Sequence, residues 1–358
     1  MLKKFQRLGN LADISEAISV LQQAVQLLAN GHSDVLKALN NLGLALQCRF
    51  ARMGDLSDLT EAISAQQRAV ELTPDGHPDM PLRLNNLGCL LQSRCVRMGD
   101  LSDLTQAISA QQRAVQLTPD GHPNMPSRLN NLGCSFQSCF EHMGDLSDLT
   151  EAISAKQRAV QLTPDGHPDM PSTLNNLGIS FQSRFARMGD LSDLTQAISV
   201  QQRAVHLTPD GHPDMPSRLT NLGTSFQYRF ARMGDLADLT EAISAQQRAV
   251  QLTPDGHPEM PSRLNSLGNS FQLRFARMGD LSDLTEAISA QQRAVELTPD
   301  GHPDMPLRLN NLGNSFQYRF SRMGDLSDLM EAISAQQHAV QLGDGGHCSW
   351  HGRTSPIG

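Results

Sequence analysis

Shifting the sequence by 45 residues superposes nearly all of it on itself, and no insertion or deletion breaks the register. The dipeptide Met-Gly marks the period at Met53, Met98, Met143, Met188, Met233, Met278 and Met323, with Leu8-Gly9 as the first instance. A strict period of this length means one supersecondary unit copied in line, and such a unit buries its apolar side only by stacking on its neighbours. The 358 residues are therefore read as one quasi-linear array and not as two or three globular domains.

Proline divides each unit. Eighteen of the 19 prolines fall in six copies of one loop, Thr73-Pro-Asp-Gly-His-Pro-Asp-Met-Pro81 and its equivalents, and the segments between loops have none. Because proline is expelled from helix interiors, the unit reads as loop, helix, turn, helix. In the first helix Leu84, Leu87, Leu91, Cys95 and Met98 follow a helical spacing and are expected to form its core face. Gly99 suits the left-handed position that ends it, and Asp100 or Asp103 can cap the next helix. Asp58 and Glu61 have the spacing of a capping box, and Leu59, Ala62, Ile63, Ala69 and Val70 form the second helix's buried stripe. Ala62, Ala65 and Ala69 permit close helix approach. Each helix is expected to run about 27 Å.

Leu84-Asn-Asn-Leu-Gly88, followed by Ala107, Ala114 and Pro119, resembles the signature of tetratricopeptide (TPR) repeats, with the unit lengthened by about a turn per helix and four loop residues. Gly-His-Pro-Asp before Leu-Asn-Asn-Leu is similar to the long repeats of kinesin light chains. The run of Gly-Asp-Leu-Ser-Asp-Leu-Thr-Glu-Ala-Ile, the loop and Phe-Ala-Arg-Met-Gly resembles arrays in fungal TPR proteins, many of which carry a caspase-like CHAT protease domain. The resemblance covers residues 1–342 and implies an all-α, right-handed α-solenoid of antiparallel helix pairs. The array is expected to start midway through a first helix and end in an unpaired second helix. Residues 343–358 are expected to be an irregular tail, a decayed repeat in which His347 and Arg353 keep the register of His302 and Arg308.

The chemistry of an enzyme is not found. There is no phosphate-binding glycine motif and no His-Glu-x-x-His, and Gly313-Asn-Ser-Phe-Gln317 fails the nucleophile elbow at its last residue. Seven loop histidines, His32, His77, His122, His167, His212, His257 and His302, invite a metal reading. Equivalent loops in stacked repeats lie about 10 Å or more apart, too far for shared ligands about 2 Å from one ion, so His is assigned to ordering the loop. The six cysteines show no disulfide framework, and Cys95 replaces a core Phe such as Phe140 or Phe185. The tail's Cys348 and His347 are not read as a catalytic pair. No cofactor and no metal are expected.

A net charge of −8 argues against a duplex nucleic-acid partner. No apolar run suits a membrane span or a signal peptide, so a cytoplasmic location is expected.

The copies differ from one another chiefly in three first-helix columns opposite the core. One holds Lys37, Leu82, Ser127, Ser172, Ser217, Ser262 and Leu307. A second holds Leu44, Cys89, Cys134, Ile179, Thr224, Asn269 and Asn314. The third holds Cys48, Ser93, Ser138, Ser183, Tyr228, Leu273 and Tyr318. In TPR proteins this face lines a concave groove for extended peptides. Flanking columns keep amides: Asn40, Asn85, Asn130, Asn175, Asn265 and Asn310, with Thr220 the exception, and Gln47, Gln92, Gln137, Gln182, Gln227, Gln272 and Gln317. Amides both donate and accept, which suits gripping a peptide backbone.

Two explanations of this face stand side by side, a ligand groove and a face free to drift after recent duplication. The peptide-binding set is Asn130, Gln137, Asn175, Gln182, Thr224, Gln227, Tyr228, Asn265, Asn269, Gln272, Asn310, Asn314, Gln317 and Tyr318, with its diversified part over 217–320. The expected function is a non-enzymatic scaffold for a protein or peptide partner. The alternative is the regulatory arm of a larger CHAT protease or NTPase. A stripe of arginines, Arg83, Arg94, Arg97 and their equivalents, suits either an acidic peptide or the aspartates at adjacent helix starts.

Overall fold

The computed structural model describes residues 11–28 and 33–344. The expected opening repeat around Leu8, His32, and the tail from 345 on, with His347, Cys348 and Arg353, lie outside the described residues. All regular structure among the described residues is helical. The chain divides into two compact units, one ending at Gly189 and the other beginning at Asp190.

The first unit contains α1 (Leu11–Leu27), α2 (Ser33–Met53), α3 (Leu56–Glu71), α4 (Met80–Met98), α5 (Leu101–Gln116), α6 (Met125–Met143), α7 (Leu146–Leu162) and α8 (Met170–Met188). The second contains α9 (Leu191–Leu207), α10 (Met215–Met233), α11 (Leu236–Leu252), α12 (Met260–Met278), α13 (Leu281–Glu296), α14 (Met305–Met323) and α15 (Leu326–Asp344). From α2 on, even-numbered helices are first helices and odd-numbered ones second helices. Inside a unit a first helix packs on the second helix before it and on the second helix after it, and α4 packs on α6, α6 on α8, α10 on α12 and α12 on α14.

The turn between paired helices is Gly-Asp, and each residue does one job. Gly99 takes φ 75°, closing α4 through its N–H to Cys95 O. Asp100 then starts α5, its carboxylate accepting from Ser102 N at 2.9 Å. The cap is thus the first aspartate of the turn, and the capping box expected from Asp58 and Glu61 does not form. Asp55 caps α3, Asp58 is drawn away by Arg49, and Glu61 accepts from Gln22.

The core repeats with the sequence. Leu132 and Phe136 of α6 meet Ala152 of α7 and Ile108 of α5, so a first helix is clasped by two second helices. In the second unit Phe230, Leu239, Ile243, Leu267 and Phe271 build the equivalent layer. Each such buried Leu, Ile or Phe contributes about 1.5–3 kcal/mol. Gly88 lies so close to α5 that a Cβ there would sit 3.1 Å from Ala107 O and 2.5 Å from Gln111 Cγ. Cys95 is fully buried in the Phe column.

Met98 departs from its expected core position. It is 60% exposed, and Met53, Met143, Met188, Met233, Met278 and Met323 are exposed like it. It is the last helical residue before the glycine, where the chain has begun to turn away, so its place on the helical wheel no longer faces a neighbour. Met80, at the other end of α4, is buried instead.

Candidate functional site

The loop preceding each first helix from α4 on is held by its own hydrogen bonds. His77 N donates to Pro74 O and Met80 N to His77 O, while His77 Nδ1 accepts from Asp79 N at 3.1 Å. His122, His167, His212, His257 and His302 do the same. With Nδ1 accepting, each neutral imidazole keeps its proton on Nε2. No group of three or more His, Cys, Asp or Glu among the described residues is placed to hold a metal.

The arginine stripe resolves into three roles. Arg94 and its counterparts Arg49, Arg229, Arg274 and Arg319 hold the buried aspartate at the start of the next helix. Those hydrogen bonds raise the guanidinium pKa further still. Arg83 and its counterparts are buried and donate to the threonine that ends the preceding second helix, Arg83 Nη1 to Thr73 Oγ1 at 2.5 Å. Arg97 lies over Phe50, and Arg322 over Phe275, at 5.8 Å from the ring centroids. The first two groups are committed within the fold.

The asparagine column has a structural partner in the next first helix. Asn86 Nδ2 donates to Asn40 Oδ1 at 3.0 Å, Asn131 to Asn85 at 3.1 Å, Asn176 to Asn130 at 3.2 Å and Asn311 to Asn265 at 3.1 Å. In the first unit these bonds form a ladder along successive first helices, and in the second the bond from Asn311 to Asn265 is its counterpart. The glutamine column is similar: Gln92 donates to Ser138, Gln137 to Ser183 and to Glu141, and Gln227 to Ser270. Ser180 Oγ donates to Gln137 Oε1, and Gln137 is buried. The constancy of both columns therefore has a cause in stacking.

The variable columns behave differently in the two units. In the first, Ser138 and Ser183 are small and held by the glutamines just named. In the second, Tyr228, Leu273 and Tyr318 stand on the successive first helices α10, α12 and α14, 42%, 38% and 44% exposed. Tyr318 is steadied by Phe275, ring centroids 6.3 Å apart. Asn269 accepts from Gln291 at 3.1 Å and Asn314 from Gln336 at 3.4 Å, which orients both amides. Thr224 donates back to Thr220 O. Asn310, Asn314 and Gln317 are exposed beside Tyr318, while Asn175, Gln182, Asn265 and Gln272 are half-buried.

Burial suppresses two of the thiols. Desolvation pushes the Cys89 thiol up to about 11, and desolvation with Asp148 beside it pushes Cys139 up to about 12. Neither forms the thiolate that a nucleophile needs near neutral pH. One buried cation was not picked out from the sequence. Lys156 of α7, 2% exposed, stands where Gln66 and Gln111 stand in the two preceding copies. Its Nζ donates to Ser180 Oγ at 2.7 Å, and burial lowers its pKa. That it is one of only four lysines in the chain, at a position that is Gln in six of the other seven copies, was the available signal.

No family model matches the chain, and no curated protein matches it. Solved structures do. The C-terminal part of a TPR repeat-containing protein from Cytophaga hutchinsonii superposes with a TM-score of 0.52 at 13% identity, over 87% of this chain and 96% of that one. PilF of Pseudomonas aeruginosa gives 0.49 at 15% identity, over 74% and 92%. The nearly identical TPR-like repeats from Podosopora anserina give 0.45 at 14% identity, over 61% and 97%. The Cytophaga protein, with the helix pairing described above, shows that this chain has the TPR-repeat fold. None of the described helices is long and apolar enough to cross a membrane.

Proposed function

We propose that the chain is a non-enzymatic protein-interaction scaffold that takes an extended peptide across the first helices of its second unit. The observation carrying this reading is the change in one column, from serines held by neighbouring glutamines to the exposed row Tyr228, Leu273 and Tyr318. Exposed large aromatics on a rigid helical face are what binding hot spots are made of, because they bury much area with few rotamers to freeze. Asn269 and Asn314, oriented by the second-helix glutamines, flank that row and offer hydrogen bonds to a peptide backbone. The asparagine and glutamine columns serve mainly as the frame, and a peptide meets whatever donors and acceptors they still offer. Partners are proteins or peptides, and the site asks for no cofactor.

The test is a random peptide library panned against the full chain, followed by calorimetry of the recovered peptides on the Tyr228→Ala/Tyr318→Ala double variant. Affinity should fall at least tenfold while the melting temperature stays within about two degrees. Recovered peptides that bind the variant as tightly would remove the reading.

A further inference from the structure

Cavities recur at equivalent places in the two units, each between one Thr-Pro-Asp-Gly-His-Pro loop and the next, and each closes on a buried first-helix arginine. In the second unit one of about 290 Å³ ends on Arg263 and another of about 290 Å³ on Arg308. In the first unit the equivalent cavity, about 340 Å³, is lined by His77, Met80, Leu117, Pro119, His122 and Arg128.

The arginines differ in what balances their charge. Arg308 pairs with Asp304 at 3.1 Å, and the Glu259 charge acts on Arg263. Elsewhere in the array Arg218 pairs with Asp214 at 3.1 Å and Arg83 with Asp79 at 3.4 Å. In two copies the arginine is absent: Ala38 stands in its place in one, and Thr173 in the other, above Asp169. Among the described residues, only the copy containing Arg128 keeps the arginine while the acidic residue is replaced: Asn124 occupies that position. The hydrogen bond of the Arg128 side chain goes to the neutral Thr118 Oγ1, and no carboxylate among the described residues acts on it.

Arg128 is only 5% exposed. A guanidinium does not shed its proton, so a buried one without an anion is costly, and an anion supplied from outside removes that cost. The rest of the lining is apolar, Met80, Leu117 and Pro119, except for the imidazoles of His77 and His122. Both use Nδ1 as an acceptor and so retain Nε2–H as a donor. The volume is at the small end of ligand pockets.

We propose that this cavity is a carboxylate-binding site, in which Arg128 receives the carboxylate of a short, apolar monocarboxylic acid or of a peptide end of the same chemistry. It is separate from the peptide face of the second unit. Asn124 is the residue that leaves the site open, because an aspartate there would occupy the guanidinium from within.

The experiment is calorimetry on the full chain with three probes: sodium butyrate, the neutral isostere butyramide, and N-acetyl-Ala-Leu with a free C-terminus. The protein is compared with Asn124→Asp, which carries the residue found at positions 79, 169, 214 and 304, and with Arg128→Thr, which copies position 173. Saturable binding of butyrate or of the dipeptide, at least tenfold weaker in both variants and absent with butyramide, is expected. Butyrate alone would assign the site to free acids, and the dipeptide alone to a chain end. Failure of both to saturate, or equal binding to Asn124→Asp, overturns the proposal. Because Asn124→Asp supplies the missing partner, it should also melt higher than the natural chain without ligand, so loss of binding there is not loss of fold.

Discussion

Arg94 grips Asp103 with two parallel hydrogen bonds, Nε to Oδ2 at 2.7 Å and Nη2 to Oδ1 at 2.6 Å, across the Gly-Asp turn that joins α4 to α5. Asp103 is buried, while Arg94 is a quarter exposed, so the aspartate depends on the pair more than the arginine does. Replacing Arg94 by Met should cost about 2–3 kcal/mol, since it strands a buried carboxylate. Chemical denaturation of the variant measures it.

The array contains its own version of that experiment. In the next copy Cys139 stands where the arginine would be, and Asp148, half-buried, faces the thiol. Cys139→Arg should restore the two-pronged pair and stabilise the first unit by about 1–2 kcal/mol. An unchanged denaturation midpoint would mean that the aspartate is sufficiently hydrated without its partner.

Lys156 predicts a pH dependence. Burial lowers its pKa in the folded state, whereas in the unfolded chain it titrates near the ordinary lysine value of about 10.4. Between those two values the unfolded state binds the extra proton, so stability rises with pH through that window and the penalty is relieved as pH approaches the upper value. Lys156→Gln, which copies Gln66 and Gln111, removes the penalty. It should gain about 2 kcal/mol over the natural chain at pH 7 and less at pH 10, read from urea melts at both pH values.

Gly88 tests the close approach of α4 and α5. A methyl group there meets the Gln111 side chain, which can move, and Ala107 O at 3.1 Å, which cannot move without shifting α5. Gly88→Ala should destabilise by about 1–3 kcal/mol despite alanine's better helix propensity. Calorimetric melting of that variant beside an exposed-site alanine control checks the sign.

What the sequence made legible followed from backbone rules that hold residue by residue. The period, the proline-bounded helices, Gly99 as a left-handed terminator and Ala62 and Ala69 as contact residues all needed only local chemistry. What it hid depends on which neighbour a side chain meets. The helical wheel treats Met98 like Leu91, and only the end of the packing surface separates them. Asp55 and Asp58 are equally good caps until Arg49 takes the second. Asn124 looks like a neutral drift from Asp79 until the buried Arg128 behind it is placed.

The asparagine ladder separates stacking from ligand binding, and Asn265 is the place to test it because it lies in the unit that carries the aromatic row. Its Oδ1 accepts from Asn311 Nδ2 at 3.1 Å, a bond between α12 and α14. If this bond is why the column is constant, only the acceptor oxygen matters at residue 265. Asn265→Asp then keeps the bond and the stability, while Asn265→Ala loses about 1 kcal/mol. Both should leave peptide affinity within about threefold, against at least tenfold for Tyr228→Ala/Tyr318→Ala. The opposite pattern, unchanged melting of Asn265→Ala with affinity lost, would return the amides to the role their composition suggests, gripping the peptide backbone. The melting curve and the titration are read on the same sample, so one variant decides whether that column is frame or contact.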